Sequence, residues 1–243
     1  MFLSRIHLDD HTPAEWPFTV PAVQRLREGL TFDRPVTFLV GENGSGKSTI
    51  VEAIADACEI NSEGGKAGTR YASTGDPTPL GAALRAEFTV EGLRMLGGPR
   101  RKRRGFFLRA ETLFNLGQNV SGRYGFWEQN LDEQSHGEGF FTVLETMFAD
   151  PGIYLMDEPE AALSFMSCLR LVGLMHDLAG AGGQIICATH SPILTALPGA
   201  QILQLNDHGI APAAWDKLEL VDHWRRFLGR PDAYLRHILE PGQ

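Results

Sequence analysis

Gly41-Glu42-Asn43-Gly44-Ser45-Gly46-Lys47-Ser48, followed by Thr49, fits the spacing GxxxxGK[ST], and it lies between the apolar run 35–40 and a helix-forming stretch at 49–59. The residue types explain the spacing. Glycines let successive backbone N–H groups curl around phosphate oxygens, and a helix that starts directly afterwards turns its positive end toward them. Lys47 is placed to reach β- and γ-phosphates, and the Ser48 hydroxyl is an oxygen ligand for Mg²⁺. The segment therefore predicts a site for a nucleoside triphosphate and its metal.

A second constellation has the complementary chemistry. The apolar run 153–156 ends in Asp157-Glu158-Pro159, so a buried strand delivers two carboxylates at its carboxyl end, where doubly wound sheets place their ligands. Asp157 suits the Mg²⁺ shell. Glu158, its neighbour on the strand and so pointing elsewhere, suits a general base that polarises an attacking water. His190 closes another apolar run, 184–189, and so stands at the same edge as a sensor of the γ-phosphate that also positions the water.

The elements that must hold these residues are read from period and punctuation. The segments 2–8 and 35–40 read as strands, as do the runs at 153–156, 184–189 and 201–205, with helical stretches between them. Short apolar runs separated by helices predict a mostly parallel sheet covered on both faces. Residues 61–81 read as a loop, 84–93 alternates like a strand, and 105–110 is expected to pair with it as an antiparallel β-hairpin. The reading is one domain over 1–243, with an insertion at about 61–135 and C-terminal helices at about 215–239.

Composition narrows the classes. The chain has 243 residues, is 43% hydrophobic and carries a net charge of −8, which excludes a disordered chain and one that coats nucleic acid through overall charge. No apolar run reaches the roughly 18 residues that span a bilayer, and the first ten residues turn polar early, so the expectation is a cytoplasmic protein. Cys58, Cys168 and Cys187 are far apart and lack metal-ligand spacing, so they are expected to be buried, reduced thiols.

Taken in order, GENGSGKST, IYLMDEP and ATHSP resemble the Walker A, Walker B and switch-histidine motifs of ABC-type ATPases. The resemblance points to the stand-alone branch related to RecF and SMC proteins, whose members are labelled AAA-family or ABC-like ATPases. It implies a P-loop NTPase fold of the ABC-ATPase type, with ATP and Mg²⁺ as ligands. It also implies a fourth motif, LSGGQ, which in a head-to-tail homodimer reaches the γ-phosphate held by the partner copy. The best match is 134–139, where Ser135 and Gly137 fit while His136 and Glu138 depart. A serine hydroxyl with backbone N–H groups at a helix start still makes an anion site. The family's Q-loop falls on Glu111 or Gln118, its adenine-stacking aromatic on Trp16 or Phe18, and its D-loop aspartate position reads Ser164.

The interval from Lys47 to Ser135 is too short for an SMC-type coiled-coil arm and has no heptads. Arg100, Arg101, Lys102, Arg103 and Arg104 form a local basic run suited to phosphate-backbone contact with nucleic acid. The function expected is ATP binding and hydrolysis that drives dimerisation, as a switch or motor on nucleic acid or on a partner effector protein. The alternative is the nucleotide-binding subunit of an ABC transporter.

Overall fold

Three central strands are apolar along almost their whole length: Val36–Gly41 (β3), Ile153–Asp157 (β7) and Gln184–Thr189 (β8). Such strands are stable only where both faces are covered. The computed structural model, which describes residues 1–9, 12–61, 65–66, 76–98, 104–109, 141, 144–145, 148 and 150–239, places them in the middle of a sheet. With Gly65–Lys66 (β4), Gly105–Arg109 (β6), Gln201–Asn206 (β9) and Gly209–Pro212 (β10) they form seven strands in the order β10-β9-β3-β8-β7-β6-β4. The pairs from β9 to β6 are parallel, and β10 and β4 close the two edges antiparallel.

Alternate residues of these strands feed two layers of core. Leu39, Leu155 and Ile186 face a layer that contains Ile50 and Ile54 of the helix Lys47–Ala57 (α2) together with Leu26. Phe38, Met156 and Cys187 face the opposite layer, with Leu171 and Met175 of Phe165–Gly180 (α5) and Leu218 before Glu219–Gly229 (α6). A second sheet of three antiparallel strands, Leu30–Thr31 (β2), Leu3–Leu8 (β1) and Leu84–Phe88 (β5), adds to the first layer. Pro21–Arg25 (α1), Pro79–Ala83 (α3), Val90–Gly97 (α4) and the terminal Pro231–Leu239 (α7) complete the described helices.

The parallel sheet and the C-terminal helix pair follow the sequence reading, and the hairpin does not. β5 pairs antiparallel with β1, from Leu8 opposite Leu84 to Leu3 opposite Phe88, whereas β6 runs parallel beside β7. The burial patterns explain the separation: β5 alternates and keeps one face wet, while β6 is buried on both and belongs inside a covered sheet. The chain also leaves β5 earlier than expected, because Thr89 Oγ1 accepts from the Gly92 N–H at 3.2 Å and caps α4. The basic run thus follows a helix, not a strand. Of its five residues Arg104 is described, with its guanidinium 3.5 Å from Asp150 Oδ1; Arg100, Arg101, Lys102 and Arg103 lie outside the described residues.

Register aligns the carboxyl ends. Val40 is opposite Thr189, Ala188 opposite Asp157, and Asp157 opposite Arg109, so neighbouring strands end within one residue of each other along this edge.

Candidate functional site

The loop 41–46 starts where β3 ends and feeds directly into α2. Gly44 and Gly46 have φ of +81° and +96°, backbone states that other residues adopt only with strain. Gly41 is held to a hydrogen for a different reason: a Cβ there would lie 2.4 Å from the Leu205 carbonyl oxygen and 2.8 Å from Ser45 Oγ. Lys47 folds back so that its Nζ donates to Gly41 O at 2.8 Å and Glu42 O at 3.1 Å. Its side chain is buried, which pushes the ammonium pKa down, and the carboxylates of Glu158 and Asp157 partly restore it.

Ser48, in the first turn of α2, donates its hydroxyl to Asp157 Oδ1 at 2.8 Å across to the end of β7. Burial raises the Asp157 pKa, against the opposing Ser48 hydrogen bond and the Arg109 charge. Arg109, the last residue of β6, pairs with Glu52 of α2 at 2.8 Å, and its guanidinium also stands 3.9 Å from Asp157 Oδ2. Burial likewise raises the Glu52 pKa. Arg109 and Glu52 were not among the residues singled out from sequence. The available signal was position, since Arg109 ends a strand in the same row as Asp157.

Glu158 has φ +48° and ψ +51°, an uncommon state for a residue with a side chain, and its N–H donates to Ala188 O at 2.9 Å. That turn brings its carboxylate beside His190, with Oε1 3.2 Å from Nε2. The approach lacks hydrogen-bond alignment, so Nε2 is a buried nitrogen without a hydrogen-bond partner, as is the oxygen Ser45 Oγ. Glu160, in the 3₁₀ turn Pro159–Ala162, accepts from Thr189 Oγ1 at 2.7 Å and from the His190 N–H at 2.6 Å. It too was missed in the sequence, where it is one more acid in the run 157–160.

A cleft of about 330 Å³ opens beside the loop, bounded by 41–45, His190, the β9–β10 turn and the start of α6. The residues present fit a magnesium nucleotide. The loop has no room for a side chain at Gly41, its lysine is partnered by its own carbonyls, and the serine–aspartate pair offers oxygen ligands.

The structure therefore brings Lys47, Ser48, Asp157, Glu158 and His190 to one edge. Ser135 and Gly137, and the Q-loop candidates Glu111 and Gln118, lie outside the described residues. Ser164 caps α5, accepting from the Ser167 N–H at 3.2 Å. Phe18 is 4% exposed in the core and cannot stack on a base, whereas Trp16 is 67% exposed.

A family model described as an AAA domain matches residues 24–91, the span that holds the glycine-rich loop. Among solved structures the chain is similar to an SMC head bound to the C-winged helix domain of ScpA. The TM-score is 0.53 at 14% identity, with 89% of this chain and 99% of that one covered. The chain has the P-loop fold of an SMC head. The chain is also 24% identical over 234 residues to the macrolide export ATP-binding/permease protein MacB of Escherichia coli O157:H7, covering 83% of this chain and 35% of that protein. It is 27% identical over 172 residues to the hemin import ATP-binding protein HmuV of Bradyrhizobium diazoefficiens, covering 63% and 62%. The chain thus spans about a third to three fifths of the length of these curated relatives. No helix among the described residues is long and apolar enough to cross a membrane.

Proposed function

We propose that the chain binds ATP with Mg²⁺ at the carboxyl edge of the large sheet and hydrolyses it. The observation that carries this reading is the convergence of Lys47, the Ser48–Asp157 pair and the Glu158–His190 pair on one row of strand ends. Backbone N–H groups of 41–46 and the start of α2 bind the phosphates, and Lys47 exchanges its carbonyl partners for phosphate oxygens. Ser48 and Asp157 hold Mg²⁺, which when bound neutralises charge on the phosphate oxygens. Glu158 orients the attacking water and accepts its proton, and His190 holds that water toward the γ-phosphate.

On this reading residues 1–243 act as one ATPase domain, and two copies close head to tail with Ser135 and Gly137 of each completing the other's site. Hydrolysis then reopens the pair, and the work goes into a switch acting on nucleic acid or on an effector protein. The SMC head, matched over nearly its full length, favours this assignment. The transport proteins among the relatives favour the second reading, a transporter's nucleotide-binding subunit.

ATP turnover at low salt, with and without single- and double-stranded DNA and RNA, tests the nucleic-acid branch of the first reading. That branch expects turnover that requires Lys47 and is stimulated by nucleic acid, with stimulation lost when Arg100, Arg101, Lys102, Arg103 and Arg104 are replaced by glutamine. Turnover that needs Lys47 yet ignores nucleic acid removes the nucleic-acid assignment and directs the search to a protein partner.

A further inference from the structure

Glu160 belongs to none of the roles above, yet it is tied to the end of β8 by two hydrogen bonds. Its Oε1 takes two donors from the end of β8, the Thr189 hydroxyl at 2.7 Å and the His190 backbone N–H at 2.6 Å. Its own backbone lies two residues beyond Glu158, across Pro159, in the turn that closes through the Ala161 N–H to Glu158 O bond at 3.1 Å. The Glu158 N–H in turn donates to Ala188 O at 2.9 Å. These contacts make a closed ring, from Glu158 through the turn to Glu160, on to Thr189 and His190, and back to Glu158, whose carboxylate lies 3.2 Å from the imidazole. The second oxygen of Glu160 is shut away from solvent with no hydrogen-bond partner. Leaving a buried oxygen unpaired costs stability, so an acid serving stability alone is poorly suited to this place.

Resting on the ATPase reading of the site, we infer that Glu160 is a positioning residue that sets the distance between Glu158 and His190 by gripping the backbone at His190. The function it supplies is reach and a hydrogen-bond acceptor. Its charge is incidental, because both groups it holds, a hydroxyl and a backbone N–H, are neutral donors. Glutamine retains an acceptor oxygen at the same reach. Aspartate retains the charge but is one methylene too short to hold both donors.

The test is steady-state ATP turnover of the full chain with Mg²⁺, comparing Glu160→Gln, Glu160→Asp, Glu160→Ala, His190→Ala and the Glu160→Asp/His190→Ala double variant, with melting temperature as a folding control. Leaving buried donors without their acceptor corresponds to roughly a fivefold to hundredfold effect, so Glu160→Asp and Glu160→Ala are expected to lower kcat by that amount with KM for ATP within about twofold. Glu160→Gln is expected to stay within about threefold of wild type, and the double variant to be no slower than His190→Ala by more than about threefold. A dead Glu160→Gln beside an active Glu160→Asp would overturn the inference in favour of a charged role. Fully multiplicative losses in the double variant, or wild-type kcat in Glu160→Asp, would overturn it outright. Should Glu160→Ala fail to fold, the Gln and Asp pair still decides. Glu158→Gln is measured alongside: if it alone abolishes turnover while the Asp variant does not, only the Glu160 inference fails. If Glu158→Gln is as active as wild type, the reading of the site falls and this inference with it.

Discussion

The two ends of the large sheet treat buried polarity in opposite ways. At the amino ends, neutral amides have partners at both their oxygen and their nitrogen: Gln184 Oε1 accepts from the Phe2 and Leu3 N–H groups at 2.7 and 2.8 Å, and its Nε2 donates to Leu3 O at 2.8 Å. Gln201 does the same for the neighbouring turn, accepting from Asp33 N and Thr37 Oγ1 and donating to Thr31 O. These amides fasten the three-stranded sheet and its connection to the seven-stranded one. At the carboxyl ends the polar groups are charged, and three buried atoms, Ser45 Oγ, Glu160 Oε2 and His190 Nε2, have no hydrogen-bond partner. The remaining such atom among the described residues, His7 Nδ1, lies in the small sheet 3.6 Å from Glu87 Oε1. Satisfied burial stabilises an interface between sheets; under-satisfied, charged burial keeps donors and acceptors in place for chemistry.

Removing a group from each end should therefore give opposite phenotypes. At the carboxyl end, Lys47→Ala is expected to lower ATP turnover by about a hundredfold or more, the scale of losing a preorganised electrostatic donor. Its melting temperature should hold or rise, because a buried cation whose burial opposes its charge is removed. A large drop in melting temperature would erase the contrast. At the amino end, Gln184→Ala strands two buried donors and should cost about 2–4 kcal/mol of unfolding free energy in urea while kcat per folded molecule stays unchanged. Lost turnover without lost stability in that variant would break the comparison from the other side.

How far these ends could be read from sequence differs in the same way. The glycine-lysine loop and the apolar strands β3, β7 and β8 are local patterns, and all of them stand where the pattern put them. Strand partners are not local: 84–88 and 105–109 are close in sequence, but their different burial sends them to different sheets. Arg109, Glu160, Gln184 and Gln201 acquire their roles only through register, since each meets partners far along the chain. For Arg109, Gln184 and Gln201 the trace in the sequence is a polar residue at the end of an apolar strand, and for Glu160 it is one more acid in the run 157–160.

The thiols give the smallest effect and sharpen the comparison as a neutral reference inside the core. Cys58, Cys168 and Cys187 are all buried and free, and burial pushes the Cys58 thiol up to about 12 and the others upward. Iodoacetamide at pH 8 should label none of them in the folded protein and all of them in urea, since thiolate is the reactive form. Rapid native labelling of Cys187 would mean that the layer beneath His190 opens.

Assigning ATP hydrolysis to the carboxyl edge makes Glu158 its base. The direct measurement is Glu158→Gln in the full chain with Mg²⁺, following ATP binding, turnover and oligomeric state together. Retained binding, turnover reduced by about a hundredfold or more and an ATP-dependent dimer that persists are expected. Wild-type turnover in this variant would contradict that assignment.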